Sequence, residues 1–373
     1  MTRIIHFIEN FVYQSKASRL IGIALALSIV KTGVWQMPNL EASWVISRDP
    51  FRNPFTDPDF HYQVWTWLSP FLAWLLRIHN LQSFLYFHLL FSVAFTCIFI
   101  ALVWSRFEER DARTALVLFL AFPVSTTAYF WVGMDSVTLV LMLLLLLAQK
   151  RLWLALPIGV LLGMQHFEQG LVAFGALIAA GILSFAFKAR SPYAMRWAIA
   201  SLLGVILGKF VLIIIFRHFG IHVNSGRLFM VEQHKDLYLG WFYYYFQYIL
   251  WSVFGVGWIV VAQYAGQGKL AAPFLLAISG LLPLLALAGD ETRVLAIVSF
   301  PLVATCLLLN PGFLQSLSGR FVAVIFALWV VVPYPWAFAG RPLVSTFPYD
   351  LVYVLHRLFG WFSVPTNPPL WHL

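Results

Sequence analysis

The sequence predicts an all-α fold, a polytopic transmembrane helical bundle of about 11–12 spans, with each span needing about 20 mostly apolar residues. Three observations point there. Of the 373 residues, 61% are hydrophobic and only 10% charged, whereas a soluble domain is nearer half apolar and a quarter charged. Mean hydropathy is +0.83. Apolar runs recur along nearly the whole chain, separated by short polar turns. Together these exclude a disordered chain, a secreted disulfide scaffold, a β-barrel and a nucleic-acid-binding domain. The two cysteines, Cys97 and Cys306, sit inside apolar runs and give no disulfide framework.

The whole chain, 1–373, reads as a single transmembrane domain. A retained first span runs from Ala17 to about Trp35, with no small-residue cleavage site after it. The first outer loop, 38–82, follows. Within it Trp65–Ile78 is apolar but too short to cross comfortably, and its Trp65, Trp67 and Trp74 suit an interfacial helix. Further spans read at about 83–105, 113–132, 135–149, 152–166, 169–187, 197–217, 240–264, 270–288, 294–309 and 320–339. A long outer loop covers 218–239, and the hydrophobic C-terminal segment 344–373 holds a weaker run at 348–364.

Arg3, Lys16 and Arg19 precede the first span, so the N-terminus is placed in the cytoplasm. Alternation then puts Arg106, Arg110, Arg113, Lys150, Arg151, Lys188, Arg190, Arg196 and Lys269 on the same side, provided that 65–78 does not cross. The net charge of +9 therefore orients loops and attracts anionic lipid and phosphate. Most of the remaining acidic and histidine-rich spots fall on the opposite, outer side, which predicts one polar site opening outward.

Five clusters carry the chemistry. Asp57 and Asp59 flank Pro58 ahead of His61. Such a pair suits a divalent metal (Mg or Mn) or a general base, and also an Asx-turn and helix cap. Asp290, Glu291 and Arg293 stand at the outer mouth of two spans, with Arg293 suited to phosphate recognition or to a local ion pair. His166 and Glu168 occupy a tight turn and suit a ligand, a proton relay or a plain polar turn. Arg227, His234 and Lys235 gather in the long outer loop and suit an anion or a solvated loop surface. Asp135 turns the chain at the remaining hairpin and suits a helix cap. Neither a P-loop nor a metal-ligand signature such as HExxH is present.

Four segments in this order resemble the GT-C superfamily of integral-membrane glycosyltransferases. Thr56-Asp-Pro-Asp-Phe-His-Tyr-Gln-Val-Trp65 is similar to the first-loop acidic motif of mannosyltransferases that use dolichyl-phosphate mannose. Gly133-Met-Asp-Ser136 leads into an apolar helix as a Gly-Gln-x-Asp-Ser motif does in that superfamily. The segment from Gly159 to Gln169 occupies the place of a Gly-x-x-x-Lys-Pro-Gln turn without its Lys-Pro. Asp290-Glu-Thr-Arg293, running into Phe300-Pro301, resembles the late charged motif whose Arg meets the lipid phosphate.

The resemblance implies a GT-C-like fold and an inverting transfer of a monosaccharide from a polyprenyl-phosphate donor. The acceptor would be a lipid-linked, glycan or protein hydroxyl on the periplasmic or lumenal face. Asp57 or Asp59 would act as base, and Arg293, with His234, Lys235 and Arg227, would bind the donor phosphate. No cofactor is implied beyond a divalent ion at Asp57 and Asp59. Membrane lipids are the other expected partners, and nucleic acid is not one. A polysaccharide polymerase or ligase, or a lipid-linked glycan transporter, is the competing reading. The membrane is read as a bacterial inner membrane, with the endoplasmic reticulum as the alternative.

Overall fold

The computed structural model describes residues 2–189, 191–223, 226–339, 341–345 and 360, without the side chains of Thr2, Arg227, Leu228 and Met230. The predicted run at 348–364 lies outside the described residues except for Gly360. Seventeen α-helices form among the described residues. They are α1 (Thr2–Gln14), α2 (Ala17–Thr32), α3 (Leu40–Arg48), α4 (Pro58–Val64), α5 (Leu68–Leu75), α6 (Leu81–Arg106), α7 (Glu109–Ala121), α8 (Val124–Phe130) and α9 (Asp135–Leu147). Then come α10 (Leu152–Ala186), α11 (Met195–His218), α12 (Arg227–Ser252), α13 (Gly257–Ala265), α14 (Ala272–Leu281), α15 (Glu291–Val303), α16 (Pro311–Ser316) and α17 (Gly319–Val331). A two-stranded antiparallel hairpin, β1 (Pro335–Phe338) and β2 (Arg341–Val344), follows α17.

Among the described residues, four helical segments are long and apolar enough to cross a bilayer: Leu81–Arg106, Leu152–Ala186 (one segment by length, although it is broken at His166), Met195–His218 and Glu291–Leu308. The number rises to six if the bent pairs α7–α8 (55°) and α12–α13 (79°) each count as one span. Of the about 11–12 expected spans, several of them only about 15 residues long, four to six thus have full crossing length among the described residues. The apolar runs are present, but prolines and glycines break many of them into pieces too short to qualify. Pro123 follows the end of α7, and the 13-residue α9 is itself short. Several long apolar helices in an all-helical chain nonetheless make this an integral membrane protein.

The 35 residues of α10 are not one rod. His166 has φ −159° and ψ 79°, which breaks the helix. Side-chain proximity shows that the chain reverses there. A Cβ built on Gly170 would lie 3.2 Å from Leu162 Cγ and 3.0 Å from Val205 Cγ2. In a continuous helix, residues eight apart are separated by about 12 Å of rise. Lys150 before the helix and Ala194 after it also line one cleft. The legs 152–165 and 167–186 therefore form the hairpin expected between two apolar runs.

Glycine holds this hairpin to α11. A Cβ on Gly159 would meet the Ser201 carbonyl oxygen at 2.6 Å and Gly204 Cα at 3.0 Å, and Gly163 faces the Val205 carbonyl and Gly208 in the same way. Two Gly-x-x-x-Gly pairs thus let backbones touch, the packing that replaces hydrophobic drive inside a bilayer.

Buried Lys31 donates to the carbonyls of Trp329 and Val332, at the C-terminal end of α17, where a cation meets the negative end of the helix dipole. The run at 320–339 ends early as a helix because Pro333 and Pro335 follow, and its last residues become β1. Two loop expectations change as well. The first outer loop folds into three short helices, and the interfacial stretch 65–78 is helical only over Leu68–Leu75, where Arg77 at φ 56° helps end it. Residues 227–239 are the start of α12 rather than loop, since Leu228–Leu239 are mostly good helix formers without Gly or Pro.

The glycine contacts make a direct prediction. Gly163→Leu must displace backbone, so its cost should exceed about 3 kcal/mol, the usual upper range for overpacking. Gly175→Ala, with open space around it, should leave the thermal unfolding midpoint in detergent unchanged.

Candidate active site at one end of the bundle

The site is built on Arg293, in the first turn of α15. Its Nη1 donates to the carboxylate of Asp135 and its Nε to that of Asp290. Asp135 is the first residue of α9, and Gln169 Nε2 donates to its other oxygen at 3.4 Å. Met37 Sδ lies 3.8 Å from Arg293 Nη1. Asp135 and Asp290 are buried, and the Arg293 side chain is only 15% exposed. Burial pushes the Asp290 carboxyl up to about 6, against the pull of Arg293 and helped by the charge of Asp135. Charges removed from water must be paired, and three segments far apart in sequence meet here for that reason.

Glu291 is fully buried beside the triad. Tyr238 of α12 lies within electrostatic reach of both Glu291 and Tyr62. Tyr238 and Trp241 also stand over Gly289, at 3.2 and 3.6 Å from where a Cβ would sit. The β-hairpin straps the same corner: Ala337 N donates to Thr292 Oγ1 at 2.8 Å, and Ala339 N to Gly289 O at 2.6 Å. His88 of α6 is fully buried near Asp135, its Nδ1 bonded to Phe84 O and its Nε2 without a hydrogen-bond partner among the described residues.

The tip of the α10 hairpin fixes the floor. Gln165 is a three-way staple: its Oε1 accepts from Ser69 N at 2.8 Å, and its Nε2 donates to Met134 O at 2.9 Å and to Ser69 Oγ at 3.4 Å. Trp67 N donates to Met164 O. One amide side chain thereby ties the first loop, the turn before α9 and the hairpin tip. Beside them Lys209 lies 3.4 Å from the centre of the Trp65 ring and 5.4 Å from that of Phe167, a cation–π arrangement. His166 Nδ1 is 3.9 Å from a Glu168 oxygen.

Asp135, Asp290, Glu291 and Arg293 thus come together, with the His166–Glu168 turn on the same end. The other expected residues are distributed differently. Asp57 is exposed and caps α4, accepting from Asp59 N at 3.0 Å with Pro58 in the first turn. Asp59 is half-buried, and its carboxylate makes no hydrogen bond among the described residues. His61 is buried, with Nε2 3.1 Å from Phe55 O. Lys235 is exposed on α12, and the His234 ring faces Tyr238 with centroids 6.0 Å apart. The Arg227 side chain lies outside the described residues. Of the anion group expected from Arg293, His234, Lys235 and Arg227, no hydrogen bond or ion pair joins Arg293 to His234 or Lys235 among the described residues; His234 is linked to the corner through Tyr238, which stands over Gly289. No group of three or more His, Cys, Asp or Glu side chains able to hold a metal forms among the described residues.

Gln165, Gln169, His88, Met37 and Tyr238 were missed in the sequence. The two glutamines had a signal, since they bracket the His166–Glu168 turn at an i, i+4 spacing. Lone residues such as His88 and Met37 in apolar or loop sequence had none. Comparison with protein-family models, with curated proteins and with solved structures gives no match for this chain.

The triad makes two predictions. Arg293→Gln leaves two buried carboxylates facing each other and should destabilise the chain by about 3–5 kcal/mol; adding Asp135→Asn should recover part of it, read as unfolding midpoints. Asp290 favours its neutral form when folded. Its stabilising contribution is therefore complete below the ordinary carboxylate range and is lost as pH rises to about 6. Wild-type stability should fall across that window relative to Asp290→Asn, whose profile should be flatter.

Proposed function

We propose that the chain is an inverting membrane glycosyltransferase of GT-C type, taking a monosaccharide from a polyprenyl-phosphate donor. The supporting observation is the convergence of residues 62–69, 133–136, 164–169 and 289–293 at one end of an apolar bundle. A sugar carried on a lipid reacts at the membrane surface, so a polar corner closing such a bundle suits it. The acceptor is a lipid-linked, glycan or protein hydroxyl.

In this reading Asp59 is the base. Asp57 is occupied in capping α4, whereas Asp59 lies two residues on with its carboxylate unbonded. Asp59 takes the proton of the acceptor hydroxyl, and the acceptor oxygen forms its bond to the anomeric carbon. The bond from that carbon to the phosphate oxygen breaks on the opposite face, and the electron pair leaves with polyprenyl phosphate.

Arg293 meets the developing phosphate charge. Its two carboxylates hold it in place beforehand. Asp290, whose charged form burial disfavours, is the partner that a phosphate displaces from Nε. On α12, Lys235 adds positive charge and His234 a ring nitrogen that can meet a phosphate oxygen. The first loop, held to the hairpin through Gln165, carries the base toward this corner as α4 packs against α12.

The cations at the other end, among them Arg106, Arg110 and Lys150, favour that end as cytoplasmic under the positive-inside rule. The site then faces the periplasm of a bacterial inner membrane, or the lumen of an endoplasmic reticulum membrane.

The test is release of polyprenyl phosphate from a panel of polyprenyl-phosphate sugars by purified protein. Asp59→Asn should lose about 10²–10⁴-fold in rate, the range for a missing general base. Asp57→Asn keeps a good helix cap and should retain most of the activity. Loss in Asp57→Asn alone would move the base to Asp57; no release by wild type across the panel would overturn the reading.

A further inference from the structure

We infer that the opposite end of the bundle carries a second binding site, a cleft for a zwitterionic phosphate ester in which a phosphate and an ammonium are joined by a short carbon linker. It is independent of the transfer reading, being at the far end from Arg293.

The cleft encloses about 520 Å³, inside the range of roughly 300–1,000 Å³ usual for small-molecule sites. It is assembled from the end of α6, the start of α7, the turn after α9, the approach to α11 and the start of α16. One further wall is the turn Ala304–Leu308, a π-helix after Pro301 that presents Thr305. Single π turns recur at functional sites because they spend regular hydrogen bonding to widen the helix.

Its charges fall into two hydrogen-bonded groups. In one, Arg106 Nη2 donates to Gln149 Oε1 at 3.3 Å, and Lys150 is the next residue in the chain. In the other, buried Asp111 accepts from Gln315 Nε2 at 3.2 Å, and exposed Glu108 lines the same cleft. Among the described residues no ion pair joins Arg106 or Lys150 to Asp111 or Glu108; the ion pair Asp111 makes is with its neighbour Arg110, at 3.9 Å. Opposite charges share a cleft of ligand size without neutralising each other across it.

A ligand matching both groups carries an anion and a cation. Arg and Lys side by side recognise a phosphate, with charge-assisted bonds from the guanidinium. The carboxylates take an ammonium, and the rings of Phe107 and Tyr193 in the lining offer π faces to it. A simple anion leaves Asp111 and Glu108 unmatched, and a simple cation leaves Arg106 and Lys150 unmatched. Phosphorylethanolamine has the required chemistry, either as the headgroup of a phospholipid or as the free molecule.

The test uses the full chain in detergent. Binding is measured by calorimetry and by the unfolding midpoint with free phosphorylethanolamine, short-chain phosphatidylethanolamine, short-chain phosphatidylglycerol and inorganic phosphate. Both ethanolamine compounds, or the lipid alone, should bind and raise the midpoint. Binding by the lipid alone identifies a headgroup site, and equal binding by the free compound identifies a soluble ligand. Lys150→Gln and Glu108→Gln, both at exposed positions, should each weaken binding by about tenfold while leaving the ligand-free midpoint unchanged. Equal binding of phosphatidylglycerol or inorganic phosphate, an effect of Lys150→Gln without one of Glu108→Gln, or no binding by any compound would overturn the proposal.

Discussion

The cost of burying Arg293 organises one whole end of this protein. A guanidinium and two carboxylates taken from water each forfeit hydration, and only close mutual pairing offsets the loss. The pairing requires α9 to begin at Asp135, α15 to begin one residue after Asp290, and the α10 hairpin to bring Gln169 to the remaining oxygen of Asp135. Each start is then held from outside. Gln165 fixes the turn ahead of α9 through Met134 O, and the β-hairpin fixes the turn ahead of α15 through Gly289 O and Thr292. The apolar helices give the bundle its mass, whereas these polar contacts set where their ends stop.

Helix lengths stagger that corner against α11. The 13 residues of α9 rise about 20 Å, and the leg 152–165 about the same, whereas the 24 residues of α11 rise about 36 Å. Lys209 of α11 is level with Phe167 at the hairpin tip, with nine residues of the helix still to come. That remainder is about 13 Å of rise. The hairpin tip therefore ends well before α11 does, and the first loop fills the difference, with Trp65 against Phe216 and Phe51 against Phe219. The triad is buried beneath these segments, and that loss of water is what raises the Asp290 carboxyl.

The sequence made the polar corner legible and its internal geometry much less so. Asp135, His166, Glu168, Asp290, Glu291 and Arg293 stand out because ionisable groups are rare in apolar sequence, and they do share one end. The reversal at His166 was also readable, from a polar turn between two apolar runs. The pairing was not: nothing local in sequence says that Asp135 and Asp290 converge on one guanidinium 158 residues from the first of them. The lengths of the spans were illegible for a related reason. Hydropathy records where the chain is apolar, while Pro123, Pro301 and the Gly pairs decide how far each helix runs unbroken. Asp57 is the opposite case, since the helix cap open to an Asp before Pro is readable locally and is formed. The partners of Lys31 and Lys209, the carbonyl end of α17 and the Trp65 ring, are likewise contributed by distant segments.

The two ends of the bundle treat charge by different rules. At the triad, cation and anions touch, so that any ligand must compete with an existing partner, and Asp290 is the weaker competitor because burial disfavours its charge. At the far cleft, among the described residues, no ion pair joins Arg106 or Lys150 to Asp111 or Glu108; Arg106 is bonded to the Gln149 amide, and Asp111 to the Gln315 amide beside its pairing with Arg110. An amide can orient a charge without neutralising it. The same device recurs at the triad in Gln169, which holds Asp135 from behind while Arg293 neutralises it from the front. Glutamines at helix ends thus fix the direction of charged groups in this chain, and whether a cation is paired or left facing a cavity depends on how far apart the neighbouring helices stop.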